Sequence, residues 1–223
     1  MEPPILIKTA DGSHSLHSNR FEVAYHSCHG AIQETNHVFI EAGLLFQLKA
    51  NQPLEILELG LGTGLNAFMT YLKAEELNIP VTYTSLEQFP ISWELAQQCN
   101  YLEELDADKD SNAFQQIHIS PPNEWQRLSS NFRFKKINAD AKAYESAEKY
   151  SLVYYDAFAP DAQPELWTAS IFQRMYDMML PGGVLVTYCA KGVVKRTLKA
   201  VGFRLESIPG PPGKREMTRA HKD

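Results

Sequence analysis

Short apolar runs alternate with amphipathic stretches along most of the chain. Residues 54–59, 81–86, 132–137, 151–155 and 184–188 are brief, bounded by turn residues and rich in β-branched, aromatic or leucine side chains, and they predict strands. Helices are predicted between them: over 65–77, from Pro90 through Cys99, from Ala141 onward, over 171–180 with Pro181-Gly182-Gly183 as its stop, and over 191–200. Strands alternating with helices give an α/β fold, a doubly wound and mostly parallel sheet. Beyond it, Gly202-Phe203 and Gly210-Pro211-Pro212-Gly213 punctuate a terminal antiparallel hairpin.

Two regions depart from that alternation. Before residue 50, Ile5-Leu6-Ile7 and the alternating Phe21, Val23 and Tyr25 predict a small hairpin about the turn Asp11-Gly12-Ser13. Residues 32–48 then turn helical, with Val38, Ile40, Leu44, Leu45 and Leu48 on one apolar side. We divide the chain accordingly into an N-terminal extension, 1–50, packed on a main domain, 51–223. Residues 101–131 are less regular: Glu103, Glu104, Asp106, Asp108 and Asp110 form an acidic, exposed run, and Pro121-Pro122 and Trp125 suggest a loop or insertion.

The strand at 54–59 runs into Gly60-Leu61-Gly62-Thr63-Gly64-Leu65-Asn66. Three alternating glycines permit positive φ and close approach of a ligand, and the helix beginning near Asn66 aims its free N–H groups at that ligand. A bare strand–helix turn needs fewer glycines. The spacing is G-x-G-x-G, whereas the dinucleotide fingerprint is G-x-G-x-x-G. With the acidic Glu58 before it, the stretch resembles the first motif of Rossmann-like S-adenosylmethionine (SAM) methyltransferases. A carboxylate beside the glycines suits that cationic cofactor better than a diphosphate.

Carboxylates also stand at three later strand ends. Glu87 lies 23 residues after Gly64, where an acidic side chain accepts the hydroxyls of a ribose; it also fits a solvated strand end. Asp140, in Asn138-Ala139-Asp140-Ala141, suits the adenine edge and equally an N-cap. Asp156 opens Asp156-Ala157-Phe158-Ala159-Pro160, a turn over the crevice.

Composition adds bounds. The chain of 223 residues is 44% hydrophobic and 22% charged, which is ordinary for one globular unit. No apolar run approaches a membrane span, and Met1-Glu2-Pro3-Pro4 does not begin a signal peptide. Cys28, Cys99 and Cys189 are scattered, as expected of a reduced, cytoplasmic protein. Five of seven histidines (His14, His17, His26, His29, His37) crowd the extension, but their H-x-x-H pairs fall in strand or loop, where i and i+3 face opposite ways, so no metal is expected. Net charge is −6, yet 191–223 carries nine Lys and Arg against three Asp and Glu. That basic end reads as a phosphate-binding patch or as a solvated helix and tail.

Taken together, these stretches resemble a specific family: the methyltransferase domain of the bifunctional tRNA 5-methylaminomethyl-2-thiouridine biosynthesis proteins. The resemblance runs through Tyr25-His26-Ser27, Gly30 and Glu34, Val38-Phe39-Ile40, the glycine stretch, and Glu87-Gln88-Phe89-Pro90. It resumes at Tyr155–Pro160, Pro164-Glu165-Leu166-Trp167, Pro181-Gly182-Gly183 and Lys214-Arg215-Glu216-Met217. It implies methyl transfer from SAM to the exocyclic amine of 5-aminomethyluridine at the tRNA wobble position. The cofactor residues implied are Glu58, Gly60, Gly62, Gly64, Asn66, Glu87, Gln88, Asp140, Ala141 and Asp156. Asp156 is the catalytic candidate, expected to orient the amine and steady its charge rather than act mainly as a base. Tyr25, Ser27, Glu34, Phe158, Pro160, Trp167, Lys214 and Arg215 are implied on the substrate side, with Phe158 or Trp167 stacking the base unless Trp167 only packs its loop. Phosphate contacts are expected from Lys191, Lys195, Arg196, Lys199, Lys214 and Arg215. The family's second, flavin-dependent oxidase domain has no counterpart in this sequence, so a separate enzyme is expected to supply the aminomethyl group. Rival readings are transfer of a methyl or aminopropyl group to a small free amine, a dinucleotide oxidoreductase, and a non-enzymatic binding module.

Overall fold

The chain enters through a small antiparallel sheet of β1 (Ile5–Lys8), β2 (His14–Ser18) and β3 (Val23–Ala24), paired in that order. The computed structural model describes residues 3–50 and 54–223. Readings that touch Met1, Glu2 or the boundary at residue 51 fall outside the described residues. The expected hairpin needs correction: β2 lies between its two predicted strands. The run His14-Ser15-Leu16-His17-Ser18 has no apolar alternation to betray it, because Ser15 and Ser18 are buried polar groups; the Ser15 hydroxyl bonds the His26 ring at 2.9 Å.

A long helical stretch follows, α1 (31–49), regular at both ends and π-helical over Asn36–Leu44. It lies so close to the sheet that a methyl on Gly43 would sit 3.0 Å from the Tyr154 ring and 3.2 Å from Val186. The main sheet then forms. β4 (Glu55–Leu59) leads through the glycines into α2 (Leu65–Leu77) and β5 (Val81–Leu86). The short helices α3 (Trp93–Ala96) and α4 (Tyr101–Glu104) precede α5 (Ser111–Ile119), β6 (Gln126–Arg127) and β7 (Phe132–Ile137). β8 (Tyr150–Tyr155), α6 (Ala169–Met178), β9 (Met179–Thr187), α7 (Gly192–Val201), β10 (Arg204–Pro209) and β11 (Glu216–His221) complete the chain. The eight strands run in the order β10-β11-β9-β8-β4-β5-β7-β6. β7, β5, β4, β8 and β9 are parallel; β6 and the β10–β11 hairpin are antiparallel. This is the expected doubly wound sheet with its terminal hairpin.

Alternation along the strands separates two cores. Ile56, Tyr83, Phe132, Phe134, Leu152, Tyr154, Val184 and Val186 meet α1, α2 and α5; Leu57, Leu59, Leu86, Val153, Tyr155 and Leu185 meet α6 and α7. Four expectations change. The helix from Pro90 is only α3, capped by the Ser92 hydroxyl, which accepts from Leu95 N at 3.3 Å. Residues 101–131, expected to be irregular, contain α5 just after the acidic run, and its Phe114 and Ile117 are buried. No helix follows Asp140: residues 138–149 must carry the chain past β5 and β4 to reach β8, which leaves no length for helical turns. Pro181-Gly182-Gly183 is not a helix stop but a bulge within β9, where Gly182 N donates to Lys222 O at 2.8 Å.

Candidate active site

The site forms where the parallel strands end. Gly60 N donates to Leu86 O (2.9 Å), Glu87 N to Ile137 O (2.9 Å) and Asp156 N to Leu59 O (3.1 Å), so the strand ends lie level. The chain then leaves the sheet through Gly60, Gly62 and Gly64, all at positive φ (92°, 53° and 76°). Gly60 is the most constrained: a Cβ there would lie 2.9 Å from the Asp156 carbonyl oxygen. Its bareness lets two strand ends approach each other. Between them opens a cleft of about 810 Å³, counting the solvent-open space at its entrance.

Of the residues singled out in the sequence, Gly60, Gly62, Asn66, Glu87, Gln88, Asp140, Ala141, Asp156, Tyr25 and Phe158 line it. Glu87 holds the glycine turn in shape; its carboxylate accepts from Gly62 N (3.1 Å) and Phe89 N (2.7 Å). Asp140 caps a single turn, accepting from Lys142 N at 2.9 Å. Asp156 accepts from the Asn66 amide at 2.8 Å. Burial raises its pKa to about 7, helped by the charge of Glu34 and opposed by the Asn66 amide and Lys214. The rim is aromatic, with Phe158 packed against Phe21 (4.9 Å between centroids) and Tyr25 (5.0 Å).

Other expected residues stand back from the cavity. Glu58 is wholly buried beneath the glycines, bonded by the Ser85 hydroxyl at 2.6 Å, and its second oxygen has no partner. Burial raises its pKa to about 8. Gly64 begins α2 against the His118 ring. Trp167 is buried and donates its indole N–H to the Phe158 carbonyl at 2.8 Å. It packs the loop, while Phe158 itself reaches the rim. Pro160 and Ser27 do not line the cavity; Ser27 N donates to Glu34 at 2.7 Å. The other Glu34 oxygen pairs with Lys214 at 2.6 Å, and the Lys214 ammonium lies 3.9 Å over the Tyr188 ring. Arg215 is exposed.

The residues missed from sequence are Phe21, His26, Leu59, Leu61, Thr63, Leu86, Phe89, Ala139, Ala157, Gln163 and Leu166, all on the cavity wall. Most are apolar residues flanking the named motifs, a position that marks them as neighbours of the site. Phe21 and Gln163 carry no such signal. Three histidines before residue 50 meet later parts of the chain: the His14 ring lies 3.2 Å from the Gln98 carbonyl, the His37 ring 2.8 Å from the Pro209 carbonyl, and His29 packs on Gly213, while His26 bonds Ser15 nearby. Among the described residues, no group of three or more His, Cys, Asp and Glu is placed to hold a metal.

Chemically the cavity is one-sided. Three carboxylates face it, a fourth lies beneath, and among the described residues no Lys or Arg lines it, although Arg20 lies over the Phe21 and Phe89 rings of its wall. Its one imidazole, His26, has a pKa lowered by burial to about 4 and is neutral at pH 7. A diphosphate would find no counter-charge here, whereas a ligand with sulfonium and ammonium groups fits.

The comparisons with known proteins agree. A family model described as S-adenosyl-L-methionine-dependent methyltransferase matches residues 110–223, and the chain belongs to that family. Its cofactor is therefore SAM. Within that class it is 30% identical over 210 residues to the tRNA 5-methylaminomethyl-2-thiouridine biosynthesis bifunctional protein MnmC of Leptospira interrogans serogroup Icterohaemorrhagiae serovar copenhageni (strain Fiocruz L1-130), a match covering 90% of this chain. It is 32% identical over 212 residues to MnmC of Leptospira borgpetersenii serovar Hardjo-bovis (strain JB197), again over 90% of the chain. In each case the match takes in 32% of the relative, so the chain spans about a third of the length of these curated relatives. Among solved structures, MNMC2 from Aquifex aeolicus superposes with a TM-score of 0.80 at 23% identity, covering 100% of this chain and 71% of that one. DesVI of Streptomyces venezuelae gives 0.51 at 11%, covering 86% and 93%. At these identities the two structures speak for the fold.

Proposed function

We propose that this methyltransferase acts on tRNA, converting the 5-aminomethyl group of the wobble uridine to 5-methylaminomethyl. The observation that carries the reading is the aromatic cluster of Phe21, Tyr25 and Phe158 lining the same cavity as Asp156, with no Lys or Arg among the described lining residues. A flat base stacks on such a cluster, and an amine one carbon from its ring reaches the carboxylate. The MnmC relatives, whose name specifies this modification, support the same substrate over most of the chain.

In this reading Glu87, Asp140, Ala141, Gln88 and the glycine turn hold the cofactor, and Glu58 lies buried beneath them. SAM supplies a methyl group already activated by sulfonium, so that an N–C bond forms as a C–S bond breaks. The residues of the chain then have to position the amine, which supplies up to roughly 7–11 kcal/mol of the acceleration in ideal cases. Asp156 orients the amine and balances the positive charge that nitrogen acquires, and the surplus proton leaves to solvent. An amine with a pKa like that of lysine lies about three units above Asp156, so proton transfer to that carboxylate is uphill by roughly 4 kcal/mol. Asp156 is therefore an orienter before it is a base.

The basic end supplies fewer phosphate contacts than its charge suggests. Lys191 pairs with Asp161, Lys195 with Glu216 at 3.0 Å and Lys214 with Glu34, while Arg196, Lys199 and Arg215 are exposed. We assign tRNA phosphates to these last three. The reading leaves supply of the aminomethyl group to another active site, a flavin oxidase, and places the protein in the cytoplasm with its tRNA. Among the described residues, no helix is long and apolar enough to cross a membrane.

Labelled SAM and total tRNA lacking the modification, followed by nucleoside analysis, test the reading. Label in 5-methylaminomethyluridine is expected, with binding that weakens as salt rises. Label in small amines only would move the substrate class to the free-amine alternative.

A further inference from the structure

Asp156 is held by one side chain at one oxygen. The Asn66 amide donates to its Oδ2 at 2.8 Å. Facing a carboxylate, the amide must present its nitrogen, so its own Oδ1 points away from the cavity. There it meets the Thr35 hydroxyl, which donates to it at 2.9 Å. Thr35 is fully buried on α1, and Asn66 is 3% exposed. Without the hydroxyl, Asn66 Oδ1 would lie buried without a partner. With nothing holding Oδ1, the amide is free to rotate away from the Asp156 oxygen, and its donation there weakens.

We propose that Thr35 is a positioning residue for methyl transfer: its hydroxyl fixes the Asn66 amide, and through it the oxygen that Asp156 presents to the acceptor. The N-terminal extension is then a working part of the reaction centre and not only a cover. The inference rests on the reading of Asp156 as the group beside the reacting atoms. The other charged or titratable groups facing Asp156 are Glu34, Glu58, Tyr83, Tyr188 and Lys214, and none of them changes in the test.

Thr35→Val removes the donor at nearly constant shape, and Thr35→Ser keeps the donor. With SAM and tRNA lacking the modification, Thr35→Val is expected to lower kcat by roughly tenfold or more while SAM affinity changes by less than about threefold. Thr35→Ser should stay within about twofold of the wild type. The acid limb of the kcat profile should move to higher pH in Thr35→Val alone, because Asp156 loses a donor to its charged form. Unchanged kcat in Thr35→Val, or an equal loss in Thr35→Ser, overturns the inference. Thr35→Ala replaces Thr35→Val should the latter not fold. If the wild type binds SAM yet leaves tRNA unlabelled, the tRNA reading fails on its own. The Thr35 comparison is then made from proton release on SAM binding, by calorimetry in two buffers of different ionisation enthalpy, and equal release in wild type and Thr35→Val overturns it.

Discussion

Gly60 shows how a single residue sets the site. Its φ of 92° and the Asp156 carbonyl 2.9 Å from any added Cβ leave no room for a side chain. Gly60→Ala forces either the turn or the Asp156 backbone to move, with strain of about 1–3 kcal/mol. SAM affinity should fall by at least about tenfold, measured by calorimetry, with the far-ultraviolet circular dichroism unchanged. An alanine variant that binds like the wild type would remove the close approach from the account. The glycines, Glu87, Asp140 and Asp156 were legible in the sequence because each ends an apolar run. Gln163 was not, since it reaches the cavity from a loop, and the alternation through Phe21 marked a strand that is only Val23–Ala24, with no sign that Phe21 reaches the cavity. Trp167 shows the opposite case, a conspicuous aromatic that supports Phe158 from behind.

Among the elements, α1 and the β10–β11 hairpin meet behind the site, outside its lining. They meet through Glu34 and Lys214, residues from opposite ends of the chain. Glu34 is 6% exposed, so removing its partner strands a buried carboxylate. Lys214→Met should destabilise the fold by about 1–3 kcal/mol in urea, the Lys214 side chain being a third exposed. Glu34→Gln in the same chain should restore part of the loss. An additive double variant would mean that the two do not act as a pair. Element boundaries were less legible than element types. The helix expected after Asp140 gives way to a crossover that has to span two strands, and the strand at His14–Ser18 hides its buried face in serines. α5 lay unseen behind the acidic run, since the exposed Glu103, Glu104, Asp106 and Asp108 drew attention from the buried Phe114 and Ile117.

For the molecule as a whole, the acid-lined cavity makes stability depend on pH. Glu58 rises from its ordinary 4.5 to about 8, and Asp156 from 3.8 to about 7. The folded chain therefore binds these protons more tightly than the unfolded chain does. Their contribution is complete below the ordinary carboxylate range and is lost as pH climbs through 7 and 8. His26 and His118, both lowered by burial to about 4, act in the opposite sense, but only below their unfolded value near 6.5. Between pH 6.5 and 8 the carboxylates prevail, and the cofactor-free protein should lose on the order of 1–2 kcal/mol. Tm should drop by roughly 5 °C across that interval, and saturating SAM should flatten the slope, since a cation favours the ionised acids. A Tm that rises with pH would contradict the burial of Glu58. The Glu34–Lys214 contact has a further consequence, in the order of synthesis. The glycine turn is complete once about a third of the chain has been made, but α1 must wait for β8 and β9 to rest upon, and Glu34 waits for Lys214 near the end. A growing chain on the ribosome thus carries its cofactor turn early and the Glu34–Lys214 pair last, so that an interrupted product has the motif but leaves a buried carboxylate without its partner.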